Sequence, residues 1–332
     1  MQIADWGLRI AKALLPVLVA AVGYAEEQTP EAVARVDKPT CVFAGKEGAM
    51  FVLDGGAGKL LKFDGERNTE VVRGYAVGTA ADYGGLKIGP RAAAISADGD
   101  LIIGDGAESP DGLLRVFRRT NEAAVERDAA RDKIGPLRIN NEVVAEHRYD
   151  GIVATADAVF VVSNAGESPG QVLKSAINGT KFGPLEVWAP GEERRCAHPT
   201  AITIHPEEGH VVVGRQGHVC NSGDSHLTIY SRLTAKPLLD SSAKLLDIRG
   251  LAYSPKTGLL YAVDIAWKRP EEAGLYRLDA EFTDAGQSIR KTRIAKLDRP
   301  SSLAFAADGG LWVTLLGAEE GAGSVVKFKP GL

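Results

Sequence analysis

The chain has 332 residues, of which 45% are apolar and 25% charged, with a formal net charge of −4. That balance excludes a disordered chain, and the absence of a basic excess excludes nucleic acid as a partner. Gly at 38 residues and Pro at 16 suit many short strands joined by turns.

The N-terminus reads as an export signal. Arg9 and Lys12 precede an apolar run over 13–25, and Gly23 and Ala25 stand at the small-residue positions before a cut ahead of Glu26. The run is short for a bilayer span, and no later segment approaches that length. Residues 1–25 are therefore expected to be removed, leaving an exported chain, periplasmic or extracellular, without a membrane span.

From Lys38 onward a unit recurs. It has a corner, a small-plus-apolar strand, a turn, a strongly apolar strand ending on a polar residue, a Gly-rich loop and a third strand. "KPTCVFAGKEGAMFVLD", "GPRAAAISADGDLIIGD", "YDGIVATADAVFVVSN", "HPTAITIHPEEGHVVVGR", "IRGLAYSPKTGLLYAVD" and "RPSSLAFAADGGLWVT" are its six copies. Their corners fall at Pro39, Pro90, Tyr149, Pro199, Ile248 and Pro300, 49 to 59 residues apart. A fourth strand follows in five copies: "EVVRGY" from Glu70, "EVVAEH" from Glu142, "LEVWAP" from Leu185, "AKLLDI" from Ala243 and "TRIAKL" from Thr292. Four short strands per repeat at this period predict an all-β, six-bladed propeller over 26–332.

The sixth copy stops after its third strand. The segment "AVARVDKPT" from Ala32 matches "RIAKLDRPS" from Arg293. A strand over about 32–37 should therefore pair with one over about 324–329 and close the ring, protecting strands otherwise left open. The charged stretch over about 118–141 reads as an insertion on the second blade, either a hairpin or short helix or a solvated linker. "INGT" at 177–180 reads as an Asn-Gly hairpin turn.

These units resemble six-bladed propellers of the NHL-repeat and senescence-marker/gluconolactonase superfamily. "RGLAYSPKTGLLYAVD" from Arg249 is the stretch most like that family's signature, and "SADGDLIIGD" and "AADGGLWVT" share its cadence. The resemblance implies a channel-mouth site in which Glu, Asn and Asp hold a divalent cation (Ca or Zn) for lactone hydrolysis. In this sequence Asp150 matches such a position, Arg249 stands where Asn is expected, and no Glu lies near Thr40.

Reading the repeats in register places Thr40, Arg91, Asp150, Thr200, Arg249 and Ser301 at the start of the innermost strands. Asp54, Asp105, Asn164, Arg215, Asp264 and Thr314 end the second strands. Two guanidiniums around one carboxylate repel a divalent ion and suit an anion gripped by paired hydrogen bonds. The same charges could instead satisfy one another. The first reading is thus a binding module for an anionic small molecule, glycan or protein partner, with no cofactor and with Trp267 as the aromatic contact. The alternative is a diverged metal-dependent lactonase or hydrolase whose remaining oxygen ligands are Asp150, Asp105, Asn164 and Asp264.

Five of six histidines fall in the fourth copy: His198, His205, His210, His218 and His226. His198, His218 and His226 lie with Cys196 and Cys220 on the channel face. A Cys196–Cys220 disulfide, a zinc or copper site, or neither, are all open at this level. Cys41 sits in an innermost strand as a small hydrophobe.

Overall fold

Each repeat folds as an antiparallel meander whose inner strands are buried on both faces. Alternation therefore divides a strand between two interfaces. In Met50–Asp54 every residue is buried. Phe51 and Leu53 pack toward the second blade, while Met50 and Val52 pack toward the sixth. In the same way Val159 and Val161 of the third blade face the second, and Ala158, Phe160 and Val162 face the fourth. The hydrophobic core is divided among the six interfaces between neighbouring sheets.

The computed structural model describes residues 27–65, 67–106, 111–118, 123–144, 148–164, 170–191, 198–217, 223–283, 286–319 and 321–332. The segment 1–25 that reads as an export signal, Cys196, His218 and Cys220 lie outside them.

Blade one consists of Pro39–Ala44, Met50–Asp54, Lys59–Asp64 and Arg67–Arg73. Blade two runs Ala92–Ile95, Leu101–Gly104, Leu114–Phe117 and Asp132–Ile134. Blade three has Arg148–Ala154, Ala158–Asn164, Gln171–Asn178 and Glu186–Ala189. Blade four has His198–Ile204, Val211–Gln216, His226–Tyr230 and Pro237–Ser242. Blade five has Ile248–Tyr253, Leu260–Asp264, Gly274–Thr283 and Gly286–Lys296. In blade six, Pro300–Phe305, Leu311–Leu315 and Ser324–Phe328 are completed by Glu31–Arg35 from the N-terminal side. The six innermost strands contact one another in an unbroken ring.

The closure is that expected from the repeat pattern. Glu31 pairs with Lys327, Ala32 with Val326 and Arg35 with Ser324, antiparallel. Val36 continues inward to pack with Val325 and Trp312, whose ring meets Phe63 of blade one edge-on at 5.8 Å.

Two outer strands differ from expectation. Blade two's fourth strand is Asp132–Ile134, inside the segment read as an insertion, and Glu142–Val143 forms a small hairpin with Arg138–Ile139. The reason is packing: Ile134 and Leu137 are buried against blade three, whereas Glu142 and Val143 are exposed. The longer apolar run lost to the residues with a partner surface. Within the same segment, Val125–Glu126 adds in parallel to the outer strand of blade one. In blade four the outer strand ends at Ser242, and Ala243 and Leu245 are the buried link back toward the axis.

Candidate functional site: the closed end of the channel

The innermost strands carry a repeated irregularity. The pairing register shifts between Pro39 and Cys41, Tyr149 and Gly151, Pro199 and Ala201, Ile248 and Gly250, and Pro300 and Ser302. The skipped residues are Thr40, Asp150, Thr200, Arg249 and Ser301, and a bulge re-aims the side chain that it skips. In blade two, Arg91 precedes the regular strand at the same place.

The six positions divide into two kinds. Thr40 Oγ1 donates to Pro90 O at 2.8 Å, Ser301 Oγ to Pro39 O at 2.6 Å, and Thr200 Oγ1 to Ile248 O. Each acceptor is the residue just before the equivalent position of the next blade. These three hydroxyls join blades one to two, six to one and four to five. Asn164 does the same from blade three to four, donating from Nδ2 to Pro199 O at 2.7 Å.

The other three positions meet as charges. Arg91 Nη1 lies 3.1 Å from Asp150 Oδ1. The second oxygen of Asp150 accepts from Arg148 Nε at 3.0 Å and Asn164 Nδ2 at 2.7 Å. A residue the repeat pattern did not indicate completes the set: Asp82 accepts both Nη groups of Arg91, at 2.8 and 3.0 Å. Arg249 Nη2 donates to the Asp82 carbonyl at 3.1 Å, and its Nη1 is 3.9 Å from the Asp82 carboxylate.

Asp82 sits on a hairpin between blades one and two. Gly78–Ala80 pairs with Leu86–Ile88, and the turn between them passes through Gly84 and Gly85 at φ +66° and +83°, a conformation glycine adopts without steric cost. Ala80, Tyr83 and Ile88 are buried against Ile265 and Leu316 of blades five and six, with Trp267 beside them. The guanidiniums of Arg91 and Arg249, from opposite sides of the ring, approach the Tyr83 ring centroid to 4.8 and 4.4 Å. Such contacts favour the cation by roughly 1–2 kcal/mol when desolvated. The hairpin is a plug. Under it the side chains of Arg91, Asp150 and Arg249 are 0%, 1% and 2% exposed.

Three guanidiniums thus meet two carboxylates. Against the burial that would raise it, Arg91, Arg249 and Arg148 hold the Asp82 carboxyl below the usual range. The nearby Asp247 carboxylate is taken by Gln216 Nε2 at 2.8 Å and the Trp267 backbone N–H at 3.0 Å. The Nε atoms of both Arg91 and Arg249 are buried without a hydrogen-bond partner. Both residues line a channel of about 380 Å³ along the axis, which runs from this charged floor to Phe43, Pro206, Tyr253 and Phe305 at the far end.

The remaining candidates are dispersed. Asp105 is held by Arg115 and, at 2.7 Å, by Arg127. Asp264 accepts three backbone N–H groups, from Leu246, Asp247 and Ala266, and burial pushes its carboxyl up to about 6. Asp54 accepts the Ala57 N–H, Arg215 donates to the Tyr230 hydroxyl, and Thr314 bonds Ser301. Trp267 braces the plug, edge-on to Tyr83 at 6.1 Å. Burial and the Arg148 guanidinium lower the His198 pKa. His205 packs on Tyr253, and His226 lies 3.5 Å from Asp240. Cys41 is free, and burial pushes its thiol up to about 11.

Asp82, Tyr83 and Arg148 were not singled out from the sequence. The available signal was length: the chain from Arg73 to Pro90 is too long for a simple blade crossing, and "DYGGL" within it is a turn flanked by apolar anchors.

No family model and no curated protein sequence matches the chain. Among solved structures it is similar to an oxidoreductase from Thermus thermophilus assigned as a glucose dehydrogenase, at 15% identity and TM-score 0.63, over 90% of this chain and 99% of that one. It is also similar to the PQQ-bound aldose sugar dehydrogenase of Streptomyces coelicolor, at 14% identity and TM-score 0.61, over 90% and 96%. A luciferin-regenerating enzyme matches at 8% identity and TM-score 0.60, over 92% and 95%. The likeness is one of fold. Residues 27–332 form a six-bladed β-propeller, and at these identities chemistry does not follow from fold.

Proposed function

We propose that this is an exported propeller that binds an anionic small molecule at the arginine floor of its central channel. The observation that carries the reading is the pair of buried Nε–H donors on Arg91 and Arg249, unpartnered, on two residues whose strands line the channel; an anion would reach them by a shift of these side chains or of the plug. A buried donor without an acceptor costs about 1–3 kcal/mol, and an entering anion would relieve it. The excess of one guanidinium over the carboxylates it touches favours the same charge.

Anion binding would differ from a grip at an open mouth, because Asp82 already occupies the Nη side of Arg91 and the plug covers that end. The hydroxyls of Thr40, Thr200 and Ser301 serve the blade joints and would not touch the ligand. Trp267 would act by holding the plug. A glycan or protein partner would have to use the rim, where Arg148 and His198 are half-buried.

The lactonase alternative has less support. Of its four oxygen ligands, Asp105 and Asp150 are bound by guanidiniums, Asp264 by backbone N–H groups, and Asn164 turns its amide nitrogen toward Asp150. Among the described residues no three His, Cys, Asp or Glu side chains could hold a metal ion. PQQ, the planar tricarboxylate quinone of the Streptomyces coelicolor neighbour, needs an open slot. Tyr83 fills the described part of the charged end, and its arginines are covered.

The test is calorimetric titration of the mature chain with acetate and with sulfate. Binding that falls at least tenfold in Arg249→Met supports the reading, and no heat with either anion rejects it. Stoichiometric calcium or zinc in the purified protein, lost in Asp150→Ala, would favour the lactonase. Export predicts a mature N-terminus at Glu26, read by N-terminal sequencing.

A further inference from the structure

The charge set is reached from solvent at the plug. Arg148 and Asp82 are 26% and 24% exposed, whereas Arg91, Asp150 and Arg249 are covered. An anion arriving from solvent therefore meets Arg148 first, and finds Asp82 already seated on the two Nη groups of Arg91. Asp82 is in this sense a ligand that the chain supplies to itself. It is a carboxylate among three guanidiniums, followed at once by the ring of Tyr83, which two of them approach.

The plug is held in place by side chains. Among the described residues, the backbone–backbone hydrogen bonds of 78–88 all stay within the hairpin, which forms a two-stranded sheet of its own. The chain is fixed to blade one on either side of it, by Tyr75 N–H to Gly58 O at 3.0 Å and by Gly89 N–H to Gly55 O at 2.7 Å. Between those points the outer face, with Thr79, Ala81 and Lys87, is exposed, and the inner face rests on Ile265, Leu316 and Trp267. A segment tied only at its stem opens at a smaller cost than the sheets around it.

Resting on the anion-binding reading above, we infer that the plug is an internal competitor and that the ligand is an aromatic monocarboxylate, which displaces the plug and takes its place. Its carboxylate replaces that of Asp82 on Arg91, and its ring replaces that of Tyr83 against Arg91 and Arg249. The space left by one aspartate and one tyrosine side chain is that of one carboxylate and one ring. What a free ligand gains over the tethered one is the Nε edge. Asp82 bonds only the Nη groups of Arg91, and the Nε–H groups of Arg91 and Arg249 stay without acceptors. An untethered carboxylate can lie along an Nε–Nη edge with two parallel bonds. An aromatic ring suits the place better than a saturated ring of like size, because its face attracts a desolvated cation. Since the plug must open first, the observed affinity is the intrinsic one reduced by the open fraction.

The experiment titrates acetate, cyclohexanecarboxylate, benzoate and benzyl alcohol into the mature full chain by calorimetry, and follows hydrogen exchange of the 78–88 amides. Benzoate should bind one to one, at least tenfold tighter than acetate and several-fold tighter than cyclohexanecarboxylate, and benzyl alcohol should not bind. Saturating benzoate should speed exchange within 78–88 at least tenfold. Asp82→Asn, which weakens the competitor, should bind benzoate at least tenfold tighter than the parent. If that variant does not fold, Leu86→Ala, which loosens the plug without touching an arginine, should tighten binding several-fold. Weaker binding in the plug variant would show that Asp82 builds the site rather than competes for it, and would overturn the inference. Benzoate bound with unchanged exchange in 78–88 would place the ligand elsewhere and overturn it too. Equal affinity for benzoate and either of the other two carboxylates would overturn the aromatic class and leave the anion-binding reading standing. Silence with every carboxylate would overturn both.

Discussion

The six positions that open the innermost strands are equivalent in backbone and opposite in use. At Thr40, Thr200 and Ser301 a short hydroxyl reaches the carbonyl at the corner of the next blade. At Arg91, Asp150 and Arg249 the side chains turn to the axis and meet one another through Asp82 and Arg148. The same bulge thus serves as a joint where the residue is small and neutral, and as a charged floor where it is long or ionised. A neutral joint is a local bond worth about 1 kcal/mol. A buried charge set is interdependent, because removing one member leaves its partners uncompensated.

That difference can be broken by mutation. Arg91→Met takes from Asp82 and Asp150 the guanidinium they share and leaves Asp150, 1% exposed, with Arg148 and Asn164 alone; it should cost about 3 kcal/mol in denaturant unfolding. If it costs no more than a hydroxyl deletion, the floor is not an interdependent unit. Asp82→Asn removes the charge that draws Arg91, Arg148 and Arg249 together. It should cost about 1.5–3 kcal/mol, the range for hydrogen bonds to charged groups, and increase proteolysis within 78–88. Thr200→Val removes one neutral joint and should cost about 1 kcal/mol without changing anion affinity. A change in affinity would place Thr200 in the site.

A further contrast is in pH dependence, where two sets of carboxylates titrate in opposite senses. Asp82 has a folded pKa below its unfolded value of about 3.9. Its contribution is complete above that value and is lost as pH falls through the folded pKa. Burial pushes Asp54 and Asp264 up to about 6. Their folded forms resist ionisation, so the penalty is absent below about pH 3.9 and grows until pH passes about 6. Stability measured from pH 4 to 6 should therefore decline more steeply with rising pH in the parent than in Asp264→Asn. Parallel slopes would show that the three backbone N–H groups on Asp264 compensate its burial fully.

The ring, its closure and the register of its innermost strands were legible because each repeat states them again. Corner residues punctuate the period, and strands buried on both faces need apolar residues at nearly every place, as in Met50–Asp54. The outer strands were less legible. They make contacts on fewer sides, and which run is taken depends on the neighbouring sheet, as Ile134 and Leu137 show against Glu142 and Val143. The plug was not legible. Tyr83 gains its meaning from Ile265, Leu316 and two arginines that the ring brings to it.

By itself the sequence determined six sheets, their order, and the use of Glu31–Arg35 to complete the last one, because local periodicity and turn chemistry are written along the chain. Only the tertiary structure decided that the charged positions face each other under a hairpin. The reason is that a buried charge takes its state from whichever groups the fold sets within a few ångströms of it, and here Asp82, Arg91, Asp150 and Arg249 come from four different places along the chain.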